Sequence, residues 1–132
     1  MYDPVRDILA ELAAAPAVSV LAGDRIRRFE PAPGDARGPG EWIPFVVLVR
    51  LGGSRPRGRL PVQQVPIGAR CYGRSDHEAT ALAGAVVDAL DNAGPRGAIY
   101  RTYVPEVGET LTDPDTGQPY AEVVIESHTR KE

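Results

Sequence analysis

The 132-residue chain has a single cysteine, Cys71. One cysteine excludes an internal disulfide and a cysteine-rich zinc site. Histidine is almost as scarce: His77 and His128 stand alone, in neither H-x-x-x-H nor H-E-x-x-H spacing. The short ligand spacing of a metal centre is therefore missing. Lys131 is the only lysine, and fourteen of the fifteen basic residues are arginine. No apolar run is long enough to cross a bilayer. The opening segment, MYDPVRDILAELAAAP, is acidic and amphipathic rather than basic and apolar, unlike a secretory signal. The expectation is a chain made and kept in a cytoplasm-like compartment, with no membrane contact. The glycines at 38–40 and 52–53 lack the strand–glycine–helix context and the lysine of a phosphate loop, and no G-x-S-x-G elbow occurs. The sequence thus gives no support to enzyme activity, and the reading is of a protein with no catalytic residues, no cofactor and no metal.

What is present describes an ordinary globular chain. Hydrophobic residues make up 42% and charged residues 25%, the usual balance for a soluble fold. A length of 132 residues favours one domain over residues 1–132. A chain of this size buries roughly two-thirds of its extended surface, enough for one core without staples. The net charge of -3 argues against a dedicated nucleic-acid binder. Glycine (14) and proline (13) are above average but concentrated in a few places. That pattern means long loops in a folded domain, not low complexity.

Asp3-Pro4 opens a first helix, an acceptor cap followed by proline at the first helical position. Val5, Ile8, Leu9 and Leu12 give its apolar stripe, and Asp3, Asp7 and Glu11 its polar face. Pro16 ends or bends it, and Ala17 to Ala22 adds a further turn closed by Gly23-Asp24. Arg25 to Phe29 reads as a short strand and Glu30 to Gly40 as a loop. Ile43 to Leu51 is the best buried strand. Leu60 to Arg74 reads as one long strand or as two pieces broken at Pro66. Within it Val65, Ile67, Ala69 and Cys71 share one side, while Arg70, Tyr72 and Arg74 share the other. Ser75 and Glu78 form an S-x-x-E capping box for a helix over 76–93, stopped by Gly94-Pro95. Ala98 to Val107 is a strand interrupted at Pro105. Thr112 to Pro119 is a turn, in which D-P-D-T-G lacks the further ligands of a calcium loop. Tyr120 to His128 alternates, with Ala121, Val123, Ile125 and Ser127 on one side. Tight connections favour antiparallel pairing, and the whole predicts an α+β fold, a mainly antiparallel sheet with two principal helices packed on one face.

The segment with the most pointed chemistry is Arg55, Arg57 and Arg59, three guanidinium groups spaced through Pro56 and Gly58. It is either a solvated loop or an arm that docks on an acidic neighbouring subunit through charge-assisted pairs. Contact with DNA phosphates ranks third, given the net acidity. The acids Glu106, Glu109, Asp113 and Asp115 are the candidate partner surface. Cys71 and His77 read as structural, because a buried cysteine on the inner side of a strand behaves as a small hydrophobe.

The layout resembles the tail terminator, or tail completion, proteins of long-tailed bacteriophages. DPVRDILAELAAAPAVSVLAGDRI looks like the family's opening helix and FVVLVRLGG like its first long strand. VPIGARCYGRSDHEATALAGAVVDAL looks like its strand-to-helix segment, and Tyr120 to His128 like its last strand. The loops at 30–42 and 108–119 are the variable parts. The resemblance implies an α+β fold and a homo-hexameric ring at the head-proximal end of the tail, assembled in the host cytoplasm. Such a ring caps the tail tube, stops its polymerisation and meets the head-side neck proteins, while genomic DNA passes through the lumen without specific binding. The alternative from the same setting is a head–tail connector or neck adaptor contacting portal or DNA. A small enzyme or ligand-binding domain would need a closed apolar pocket with convergent polar groups, and the sequence supplies no such set.

Overall fold

A computed structural model of the chain describes residues 4–51, 55–56, 62–91 and 99–130. Asp3, Arg57, Arg59 and the Gly94-Pro95 stop lie outside the described residues. Two helices come first, α1 (Pro4–Ala14) and α2 (Pro16–Ala22), followed by two strands, β1 (Ile26–Arg28) and β2 (Phe45–Arg50). The short β3 (Arg55–Pro56) and the long β4 (Val62–Tyr72) lead into α3 (Asp76–Leu90), and β5 (Ile99–Thr112) and β6 (Pro119–Arg130) follow. One six-stranded sheet runs β1-β2-β4-β6-β5, with β3 also paired to β4. The fold is α+β, as the order of elements predicts.

Pro16 separates the first two helices because its ring excludes helical geometry for the residue before it. Ala15 is accordingly extended, and α2 starts with the Ser19 amide donating to the Ala15 carbonyl. Gly23, at φ 61, ends α2. Val5, Ile8 and Leu12 are fully buried, as their spacing predicts. The outer face of α1 differs from expectation: Arg6, Ala10 and Ala13 are exposed, while Asp7 and Glu11 are half-buried.

The core lies between the helices and one face of the sheet. Val46 and Leu48 of β2, Val65, Ile67, Ala69 and Cys71 of β4, and Ala121, Val123 and Ile125 of β6 line that face. Leu82, Val86 and Leu90 of α3 press onto it, and burial of each such side chain stabilises the fold by about 1.5–3 kcal/mol. Ser127 is buried in the same row, its hydroxyl donating to the Val65 carbonyl.

The sheet is mainly antiparallel, as expected; among the described strands one pairing, β1 with β2, is parallel. The connection over 29–44 has the dozen or more residues that a parallel return requires. Of the two readings of the next strand, the single long one holds: β4 continues unbroken through Pro66. The Pro66 carbonyl accepts from the Leu51 amide, so its nitrogen faces the same edge. There β2 has ended at Arg50 opposite Ile67, and β3 joins only at Gln64. The missing N–H therefore costs no ladder bond. β5 also passes its proline, through a register shift between Tyr103 and Glu106, and runs on to Thr112. Residues 108–112 are thus strand rather than loop. Arg55–Pro56, expected in a flexible loop or a hairpin tip, forms a short strand paired antiparallel with β4.

The start of α3 is capped differently from the expected box. The Ser75 hydroxyl accepts from the Glu78 amide at 3.2 Å, as predicted. The Glu78 carboxylate, however, accepts from the Arg74 amide and guanidinium, each at 3.0 Å, instead of the Ser75 amide. β4 ends at Tyr72, so Arg74 is not on the sheet face it was expected to share with Arg70 and Tyr72; its hydrogen bonds to Glu78 hold that carboxyl below its usual range.

Candidate interaction surface

The helices leave the opposite face of the sheet uncovered, and an aromatic cluster lies on it at the Tyr72 end of β4. Phe45 and Tyr72 pair across strands, and their rings stack at 4.3 Å. Tyr120 follows at 5.0 Å from Tyr72. Stacked aromatics of this kind contribute roughly 0.5–1.5 kcal/mol beyond their burial. The Arg70 guanidinium sits over the Tyr120 ring at 5.9 Å, and its Nε lies 3.6 Å from Glu122.

The turn at 113–118 is tied to this stack. The Tyr72 hydroxyl donates to Asp113 at 3.0 Å. The other Asp113 oxygen accepts from the amides of Asp115 and Thr116, at 2.8 and 3.3 Å. This is the local side-chain-to-backbone bonding that makes Asp a turn residue. Gln118, fully buried, donates from Nε2 to the carbonyls of Ile43 and Gly73 at 2.8 and 3.2 Å. Burial pushes the Tyr72 hydroxyl up to about 12, and the Asp113 carboxylate adds to that shift.

The second wall is the loop after β1. Asp35 is buried and accepts from the Arg27 Nε at 2.9 Å and the Ala32 amide at 3.0 Å. These bonds fix the Glu30-Pro-Ala-Pro-Gly run. Phe29, at its root, has φ 68 and is 57% exposed. Between this loop and the 113–116 turn lies a cleft of about 590 Å³, open to solvent. Glu30, Pro31, Pro33, Arg70, Tyr72 and Asp115 are among its lining residues.

The candidate interface residues divide sharply. Asp113 and Asp115 meet at the cleft. Glu106 is placed in the middle of β5, opposite Val124, and Glu109 is exposed on the same strand. Arg55 lies at the other end of the sheet, opposite Gln64. Glu30, Asp35, Arg70 and Tyr72 were not identified as site residues from sequence. Alternation along β4 did place Arg70 and Tyr72 on one side, but it gave no sign that the 30–36 loop returns over them. Cys71 is fully buried, and burial pushes its thiol up to about 12. His77 is exposed in the first turn of α3. Among the described residues, no group of three or more His, Cys, Asp or Glu is placed to hold a metal ion, and no helix is long and apolar enough to cross a membrane.

These features define an α+β sheet protein with helices on one face and a polar cleft on the other. The sequence matches no protein-family profile and no curated protein. Its fold is similar to that of a chain in a solved structure described as the virion of a native gene transfer agent particle, with a TM-score of 0.69. The two share 17% identity over 93% of this chain and 91% of that one. At that identity the likeness is one of fold.

Proposed function

We propose that residues 1–132 form one tail-terminator-like domain and that the protein is a structural virion subunit. In this reading it assembles as a homo-hexameric ring at the head-proximal end of a phage tail. The ring caps the tail tube, stops its polymerisation and joins it to a head-side neck protein, and DNA passes through its lumen. The observation that carries the proposal is fold similarity to a virion chain over nearly the full length of both. The family resemblance of the α1, β2, β4–α3 and β6 segments supports the finer assignment. The polar cleft and exposed loops suit contacts with other subunits, since loops on a rigid scaffold commonly carry the contacts. No catalytic step is assigned.

Electron microscopy and native mass spectrometry of the purified protein test the reading. A six-fold ring is the expected result. A monomer at micromolar concentration overturns it, and a twelve-fold ring replaces it with the connector alternative.

A further inference from the structure

We propose that the cleft beside Tyr72 receives the Arg55–Arg59 segment of a neighbouring copy, so that copies join head to tail along the strand direction. This rests on the ring reading above and names its contact.

The two halves of the contact lie at opposite ends of one sheet. Arg55 is in register with Gln64, Gln64 with His128, and His128 with Arg101. Arg130 lies opposite Val62, at the start of β4. Three strands, β3, β5 and β6, aligned through β4, therefore bring Arg55, Arg101, Arg130 and His128 to one end. Pro56 and Val62, the described residues that flank Arg57 and Arg59, sit at that end too. Tyr72 and the cleft are eight residues further along β4, about 26 Å at the rise of an extended strand. Register thus keeps Arg55 from the cleft of its own chain, and a contact between the two must be made by another copy.

Charge favours the match. The cleft carries three carboxylates, Glu30, Asp113 and Asp115, against one guanidinium, Arg70, which faces Glu122. Asp113 is engaged with Tyr72 and its own turn. Glu30 and Asp115 are exposed and present their carboxylates to an incoming guanidinium, which pairs with carboxylate in bidentate geometry. Glu106, one of the acids expected from sequence, is in mid-strand and takes no part.

The sheet edges are poor alternatives for joining. β1 has three residues, and Phe29 then turns in the left-handed region. β5 carries three register shifts and Pro105. Bulges, proline and short edge strands are the devices that block edge-to-edge pairing. What remains is a contact between two different surfaces, and such heterologous contacts close into rings when the rotation allows.

Two charge-reversed proteins test this. One carries Glu30→Arg and Asp115→Arg; the other carries Arg55→Glu, Arg57→Glu and Arg59→Glu. Each alone should remain folded by circular dichroism and run as a monomer in native mass spectrometry, with association at least about tenfold weaker than wild type. Mixed one to one, they should assemble again, because each arm now finds a cleft of opposite charge. The restored ring should alternate strictly between the two, three of each in a hexamer. Wild-type-like assembly of either protein alone, or a mixture of folded proteins that stays monomeric, overturns the contact and leaves the ring reading standing. A monomeric wild type overturns the ring reading and the contact with it.

Discussion

Gly73 lies against Ala79 so closely that a β-carbon on Gly73 would sit 2.4 Å from the Ala79 amide nitrogen. Its other neighbours would be the Glu78 carbonyl carbon at 2.8 Å and the Ala79 α-carbon at 2.9 Å. All are backbone atoms in the first turn of α3, and backbone cannot rotate aside. Gly73→Ala should therefore push α3 off the end of β4 and cost about 3 kcal/mol or more. Gly84, exposed in the same helix, has open space around its β-position. Gly84→Ala should instead stabilise by about 0.5–1 kcal/mol. Urea unfolding of the two variants checks the pair, and equal effects would contradict the packing described.

Tyr72 should make stability fall at high pH. Its hydroxyl titrates at about 12 in the folded protein, chiefly through burial, against an ordinary value of 10. Between those values the unfolded chain has lost the proton and the folded chain keeps it. The unfolded state then binds fewer protons, so stability declines as pH rises. The contribution is fully present below pH 10 and lost as pH rises through about 12. Tyr72→Phe should flatten this part of the profile, measured by chemical denaturation across the alkaline range. An unchanged slope would place the titration elsewhere.

Phe29 holds φ 68 and is more than half exposed. Left-handed backbone costs a non-glycine residue roughly 1–2 kcal/mol, and little burial offsets it here. Phe29→Gly should leave stability unchanged or raise it by up to about 1 kcal/mol. Phe29→Val, β-branched at the same φ, should lower it. Thermal melts of both variants separate strain from packing.

Gln118 ties the 113–118 turn to two other segments through the Ile43 and Gly73 carbonyls. Gln118→Ala leaves both acceptors unpaired in a buried place, a loss on the order of 2 kcal/mol. Hydrogen exchange should speed up most in the 113–118 turn and its neighbours. Protection unchanged at those amides would show that the side chain is not what holds the turn.

Much of the fold could be read along the chain. The alternation of Val65, Ile67, Ala69 and Cys71 gave the inner side of β4, and that of Ala121, Val123, Ile125 and Ser127 the inner side of β6; all eight are buried. Ser75 and the proline at 16 marked helix boundaries where the structure has them. What escaped depends on neighbours distant in sequence. Whether Pro66 breaks its strand stayed open because its tolerance depends on the gap between β2 and β3. Pro105 looked like an interruption because the bulge that absorbs it is a property of strand pairing.

The candidate site was less legible. The acids at 113 and 115 and the arginines at 55–59 were visible as charge, but not their positions. Asp113 reads as free surface charge until Tyr72 is found 3.0 Å away. Glu30 reads as one acid of a featureless loop until Asp35, bonded to Arg27 and Ala32, folds that loop beside Asp115.

The sequence by itself determined most of the elements, the buried sides of β4 and β6 and the absence of a recognisable catalytic motif. These are local matters, set by side-chain periodicity, capping groups and residue chemistry. Tertiary structure alone decided the parallel direction of β1, the cleft, and the separation of Arg55 from Asp113 and Asp115 at opposite ends of the sheet. Those outcomes depend on strand register and on where the 29–44 connection lands. Both are fixed by packing between segments that no stretch of sequence contains together.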